Sequence, residues 1–169
     1  MNWLKLASYL VVISALAGAS PGSHIASQAP VAMAQSTDAG VFGYGEADWG
    51  ASFTFVEQRT DGFLVYQLND GGGLYVRFDD DQSTTYVEYQ LGTALSFSDM
   101  ETFVINELLP GDAAIAGQYQ DIMVGSNFER RVTVHLYVSD VLVQLLPRYS
   151  GVILVAYAQD GFNFSLSIG

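Results

Sequence analysis

From residue 51 onward apolar side chains recur at every second position over stretches of five to eight residues, which is the signature of β-strands with one face in a core and one in water. In segment 62–69, Leu64, Tyr66 and Leu68 take one side while Val65, Gln67 and Asn69 take the other. Segment 73–79 sets Leu74, Val76 and Phe78 against Tyr75 and Arg77, and segment 84–92 sets Val87, Tyr89 and Leu91 against Tyr86, Glu88 and Gln90. Between the first two lies Asn69-Asp70-Gly71-Gly72-Gly73, too short for anything but a hairpin and rich in the residue that takes positive φ without steric cost. Asp79-Asp80-Asp81-Gln82-Ser83 turns the second strand into the third. An earlier strand over 51–58 joins through Thr60-Asp61-Gly62. Either register keeps Val76 and Phe78 on the face of Val87 and Tyr89, so the meander is self-consistent.

The period then changes. Ser98 and Glu101 form a capping box, Met100, Phe103, Val104 and Leu108 follow at helical spacing, and Pro110-Gly111 ends the element. This predicts a helix over about 98–109, lying on the face of Leu64, Val76, Val87 and Tyr89. Residues 112–130 are ambiguous, with 113–119 reading as a strand and 126–130 as a connection. In 131–140, Val132, Val134, Leu136 and Val138 alternate with Thr133, His135, Tyr137 and Ser139, which assigns His135 to the more polar face. A short second helix is expected over about 139–146, stopped by Pro147. The chain closes on a hairpin through Gln159-Asp160-Gly161, with Ile153, Val155 and Tyr157 matching Phe162, Phe164, Leu166 and Ile168 in parity. The expected fold is α+β, an antiparallel sheet of hairpins packed against one main helix. Two similar halves are conceivable, but no residue-level repeat supports a duplication.

The first residues follow another logic. Lys5 precedes a fourteen-residue apolar run, 6–19, and then a Pro/Ser/Ala stretch, the order of parts in a secretory signal. A spanning helix needs about 20 apolar residues, so a permanent anchor is the weaker reading. Small-x-small sites stand at Ala17-Gly18-Ala19 and Ala32-Met33-Ala34, and cleavage after Ala34 is favoured. The domain plan is therefore a signal and processing region, 1–34, a flexible N-terminal segment, 35–50, and one α+β domain, 51–169. The expected location is periplasmic or extracellular, with no stable membrane span after cleavage.

Charge sharpens that picture. The chain carries 6 Lys+Arg against 18 Asp+Glu and no cysteine. Losing 1–34 removes the only lysine and His24 but no acid, leaving 5 Arg against 18 acids, a formal charge of −13 (5 − 18). Such a field repels nucleic acid. The missing cysteines exclude disulfides, thiolate metal sites and thiol nucleophiles.

Candidate chemistry is sparse. Asp79 and Asp81 are weak candidates for a cation, because the loop that they open has Thr84 where a calcium loop needs glycine and Gln90 where it needs glutamate. No metal or other cofactor is implied. His135 is the one histidine after residue 34, and no G-x-S-x-G elbow accompanies it. Arg130 and Arg131 follow Glu129 at a strand entrance, where they could clamp a carboxylate or phosphate. Tyr75 and Tyr86 project from the polar side of the meander and could stack on a partner or a sugar ring. Eighteen acids make some carboxylate pair inevitable, which has little specificity.

The stretch FVINELLPGDAAIAGQY, followed by VTVHLYVSDVLVQLL and then by GVILVAY and FNFSLSIG, resembles a group of small exported cyanobacterial proteins of unknown function. Leu109-Pro110-Gly111-Asp112-Ala113 matches that group's L-P-x-D-A step, and Leu136-Tyr137-Val138-Ser139 its L-Y-x-S segment. The resemblance covers the C-terminal half, implies export and bacterial origin, and brings no catalytic residue. The functional expectation is non-enzymatic binding of another envelope or extracellular protein through a sheet face or edge strand. The alternatives are a carboxylate-dependent cell-envelope hydrolase and a small carbohydrate- or Ca-binding module.

Overall fold

The computed structural model describes residues 38–124 and 129–169. The expected signal and processing region lies outside them. Eight strands, β1 (Thr54–Gln58), β2 (Leu64–Gln67), β3 (Gly73–Phe78), β4 (Thr84–Gln90), β5 (Ala114–Val124), β6 (Glu129–Val138), β7 (Val152–Ala158) and β8 (Asn163–Ile168), form one antiparallel sheet. Its order is β1-β2-β3-β4-β8-β7-β6-β5. Two four-stranded meanders thus meet along β4 and β8, where Glu88 stands opposite Ser165. A two-fold relation in topology passes between those two residues. It carries Tyr89 onto Leu166, Leu74 onto Val155, and Tyr66 onto His135.

In the first meander β2 to β4 form as the alternation predicts, with Leu64 opposite Val76 and Val76 opposite Val87, whereas the strand expected over 51–58 begins only at Thr54, because residues 51 and 52 are helical. Its turn glycines Gly62 and Gly71 both take positive φ. The ambiguous stretch 112–130 resolves into the long strand β5 and the start of β6, with 125–128 outside the described residues. The closing hairpin pairs Val155 with Leu166 and Tyr157 with Phe164, in the expected parity.

Three α-helices, α1 (Glu46–Ser52), α2 (Phe97–Phe103) and α3 (Asp140–Leu145), contribute buried residues to a core on one face of the sheet. Among the described residues no helix is long and apolar enough to cross a membrane. The main helix starts earlier than the Ser98–Glu101 box predicts. Ser96 is its cap, accepting the Asp99 backbone N–H at 3.1 Å, and Ser96-x-x-Asp99 is the same motif two residues upstream. Starting there leaves the Glu101 carboxylate for a partner on the sheet. Past Phe103 the helix widens into a π-helical turn, Val104–Leu108, closed by the Leu109 N–H on the Val104 carbonyl. Over the seam of the two meanders, Tyr89 stacks on Phe164 at 4.7 Å, and the edge of Phe103 packs on both rings.

The flexible segment expected over 35–50 is, from Ala39 on, part of the core instead. Ala39, Val41, Phe42, Tyr44 and Trp49 are buried. A 3-10 turn at Val41–Gly43 leads into α1, and four glycines between 40 and 50 break any period that would have announced them. Gly40 takes a φ of +61° against the end of the main helix, where a Cβ would strike the Leu108 carbonyl. The Trp49 indole N–H donates to Thr84 Oγ1 at 2.9 Å, and the Thr84 hydroxyl donates to the Tyr44 carbonyl at 2.7 Å. That relay fixes α1 to β4.

A Thr84→Val substitution keeps the shape and strands the buried indole N–H. It is expected to cost about 1–3 kcal/mol in urea unfolding, whereas an unchanged midpoint would show that the relay contributes nothing.

Candidate functional site: the uncovered sheet face

Helices cover one side of the sheet, and none of the outward residues of the strands belongs to the main core cluster. On that second side one cross-strand row runs Tyr75, Glu88, Ser165, Ala156, Val134, Tyr119. Six strands at a spacing of about 4.8 Å place its two tyrosines roughly 24 Å apart. Small side chains floor the middle, where Ser165 and Val134 are buried between their larger neighbours. The half toward β3 and β4 is polar, and the half toward β5 is apolar, with Leu136 and Leu154 beside Val134.

Glu88 is the hub of the polar half. Its Oε1 accepts from Asn163 Nδ2 at 2.6 Å and Gln90 Nε2 at 2.9 Å, and its Oε2 accepts the Tyr86 hydroxyl at 3.0 Å. Tyr86 packs edge-on against Phe63 at 5.5 Å, and the Arg77 guanidinium lies over the same Phe63 ring at 4.2 Å. Burial, and after it the Glu88 charge, raise the Tyr86 pKa far above the ordinary phenol value, so this hydroxyl stays a donor. Every partner of Glu88 is neutral. The three bonds fix the Glu88 carboxylate on this face as a hydrogen-bond acceptor.

Tyr75 and Tyr86 therefore share this face, on adjacent strands. The other sequence candidates go elsewhere. Arg130 and Arg131 are neighbours on β6, so alternation sends them to opposite faces and no two-arginine clamp forms. Arg130 pairs with Asp160 at 3.2 Å, while Arg131 borders Gln120, Ile122 and Gln159. His135 is not on a polar, water-facing side. It is 3% exposed and faces the helices, with Nδ1 at 3.3 Å from Glu101 Oε1 and 3.4 Å from the Tyr137 hydroxyl. Phe97 and Tyr157 close over the ring. The reason is register. His135 lies opposite Val155, whose face the helices cover, and Glu101 supplies the polar partner that makes burial tolerable.

Asp79 and Asp81 bind within the protein. Asp79 Oδ1 accepts the backbone N–H of Asp81 and of Ser83, both at 2.9 Å, and its Oδ2 accepts the Tyr149 hydroxyl at 2.6 Å. Arg148 bonds Asp81 and lies 3.5 Å from Asp79. Burial, reinforced by Asp79, pushes the Tyr149 pKa up to about 12. These contacts tie the β3–β4 turn to the chain after α3. Among the described residues no three His, Cys, Asp or Glu side chains converge as metal ligands would.

No family model, curated protein or solved structure matches this chain. The face has to be read from its own chemistry. Two contacts lay beyond sequence reasoning, Asn163 to Glu88 on this face and Glu101 to His135 beneath the helices, because each bridges elements far apart in the chain. The two short motifs of the C-terminal half do meet: the Ser139 hydroxyl donates to Asp112 Oδ1 at 2.6 Å, and the Val141 N–H to Asp112 Oδ2 at 3.0 Å. Ser139 also caps α3, accepting the Leu142 N–H at 3.0 Å. They form one helix-start clasp rather than a reactive pair.

The Ser139 hydroxyl and then the Val141 N–H hold the Asp112 pKa below the ordinary carboxylate value. A depressed folded pKa stabilises above the unfolded value of about 3.9 and loses that contribution as pH falls through the folded one. Thermal melts should show Asp112→Ala less stable than the parent by a constant margin from pH 7 to about pH 5, narrowing below about pH 4. A margin that stays constant down to about pH 2 would contradict the clasp.

Proposed function

We propose that this chain is an exported, non-enzymatic binding domain that docks another envelope or extracellular protein on its uncovered sheet face. The observation that carries the reading is the face itself: Tyr75 and Tyr119 flank a row of small side chains, of which Ser165 and Val134 are buried, and no covering element lies over them among the described residues. Flat surfaces edged by aromatic rings suit protein partners, since tyrosine brings large contact area and a polar tip at little entropic cost. The most prominent acid–base groups already have partners, Glu88 three neutral donors on this face and His135 the Glu101 carboxylate beneath α2. That favours binding over hydrolysis. With 18 acids against the 5 arginines left after cleavage, the domain's field favours a basic partner.

Export rests on the apolar run 6–19 and the small-x-small site ending at Ala34, and the resemblance to small exported cyanobacterial proteins supports the same compartment. The partner is then sought outside the cytoplasm.

A tagged full chain, produced in the cells that make it and captured after brief cross-linking, tests both parts. The bait should be recovered starting at Gln35, with a specific protein partner. Tyr75→Ala combined with Leu154→Lys should lose that partner, while Ile105→Ala, on the exposed side of the helix segment, should keep it. Undiminished capture by the double variant, or no partner above an untagged control, would refute the docking face. Bait that retains Lys5 would refute cleavage.

A further inference from the structure

The two edges of the sheet are built differently. At one end β1 has five residues, a bulge between Phe55 and Glu57, and the charges of Glu57 and nearby Arg59. Short length, a kink and charge are the means by which proteins keep an edge from pairing with another chain. At the other end β5 has eleven residues, no proline, no cation and one charge, Asp121. Ile115, Tyr119 and Ile122 are 56%, 44% and 48% exposed along it. Its irregularity is confined to one end, between Ile115 and Gly117. Among the described residues only β6 pairs with β5, so its outer edge has no strand partner, and the Ile122 N–H turns to the Asp121 carboxylate at 2.7 Å.

The sequence of β5 reads nearly the same in chemical class from both ends. Around Tyr119 stand Gln118 and Gln120, then Gly117 and Asp121, then the apolar triplets Ala114-Ile115-Ala116 and Ile122-Met123-Val124. In antiparallel pairing, residues that face each other lie on the same side of the sheet. A two-fold axis through Tyr119, perpendicular to the sheet, meets that condition, and it sets amide against amide and apolar against apolar. Gln118 faces the second copy's Gln120, whose amide also bonds Thr133 and Gln159 of its own chain, and the regular register runs from Gly117 to Asp121, since Ala116 is the bulge residue. Asp121 faces Gly117, four residues from the second copy's Asp121 along the strand, so the two carboxylates stand roughly 14 Å apart. That exceeds a screening length of about 8 Å at physiological salt. Moving the axis to Gln118 or Gln120 sets Asp121 against Ile115 or Tyr119 and an amide against an apolar residue. Only the axis at Tyr119 keeps the classes matched.

We propose that β5 pairs with β5 of a second copy about a two-fold axis at Tyr119, making one sheet of sixteen strands. Such an isologous contact closes on itself and stops at two copies. Both helical layers then lie on one side and both uncovered faces on the other. The pairing does not depend on what those faces bind.

The chain has no cysteine, which gives a direct test on the full-length protein. Light scattering after size exclusion should give twice the mass of one chain, falling toward one on dilution. Tyr119→Lys opposes two cations at the axis and should give a single-chain mass with an unchanged circular dichroism spectrum. Facing Cα atoms in antiparallel pairs lie about 4.5–5.5 Å apart, within disulfide range. Under mild oxidation Tyr119→Cys should therefore link two chains at least about tenfold faster than Ile122→Cys, whose mate lies six residues along the strand. A single-chain mass for the parent at every concentration overturns the proposal. So does a dimer that survives Tyr119→Lys, or equal linking at positions 119 and 122.

Discussion

Five cross-strand pairs between β4 and β8, from Tyr86–Ser167 to Gln90–Asn163, turn two local meanders into one molecule. Nearly all other strand pairing joins neighbours in sequence, whereas Glu88 and Ser165 are 77 positions apart (165 − 88). Loop closure over that span costs more entropy than the closure of any hairpin in the sheet. What rewards it is packed on top. Tyr89 and Phe164 stack across the seam, Phe103 sits on both, and each such aromatic pair contributes about 0.5–1.5 kcal/mol beyond the area it buries. On the far side of the sheet the same seam carries Asn163 to Glu88, so the polar half of the uncovered face exists only when the meanders have joined.

What the sequence shows well is what depends on near neighbours. Period two identified β2, β3, β4, β7 and β8, and the turns at Gly62, Gly71 and Gly161 adopt the positive φ that glycine was expected to supply. It misled where alternation was symmetric. In β6 valines and leucine occupy one side and Thr133, His135 and Tyr137 the other, and apolar content alone favours burying the valines. The structure buries both sides in part, but the helices lie over His135, which stands in the second meander where Tyr66 stands in the first. The two-fold relation is thus visible in topology and absent from residue identity. The segment from Ala39 to Phe53 failed to announce itself because its buried residues are spaced by glycines, and their order is imposed by Thr84 and by the end of the main helix rather than by local periodicity.

The candidate site followed the same rule. Tyr75 and Tyr86 were correctly assigned to one face because their strands are consecutive. Glu88 gained its meaning only from Asn163, and His135 only from Glu101, contacts between elements far apart in the chain. Charged groups that looked available, Asp79, Asp81 and Arg130, are consumed in ion pairs and turns. Among the described residues the second face carries no helix and is bounded by a short, bulged, charged strand at one end and by the long β5 at the other.

Because the whole arrangement rests on the seam, hydrogen exchange resolved by amide tests it most directly. The account predicts that the paired amides of β4 and β8 are among the slowest to exchange and open together with those of β3 and β7 in one global event. Fast exchange at β4 and β8, with the two meanders opening at separate free energies, would mean that the halves are independent and would contradict it.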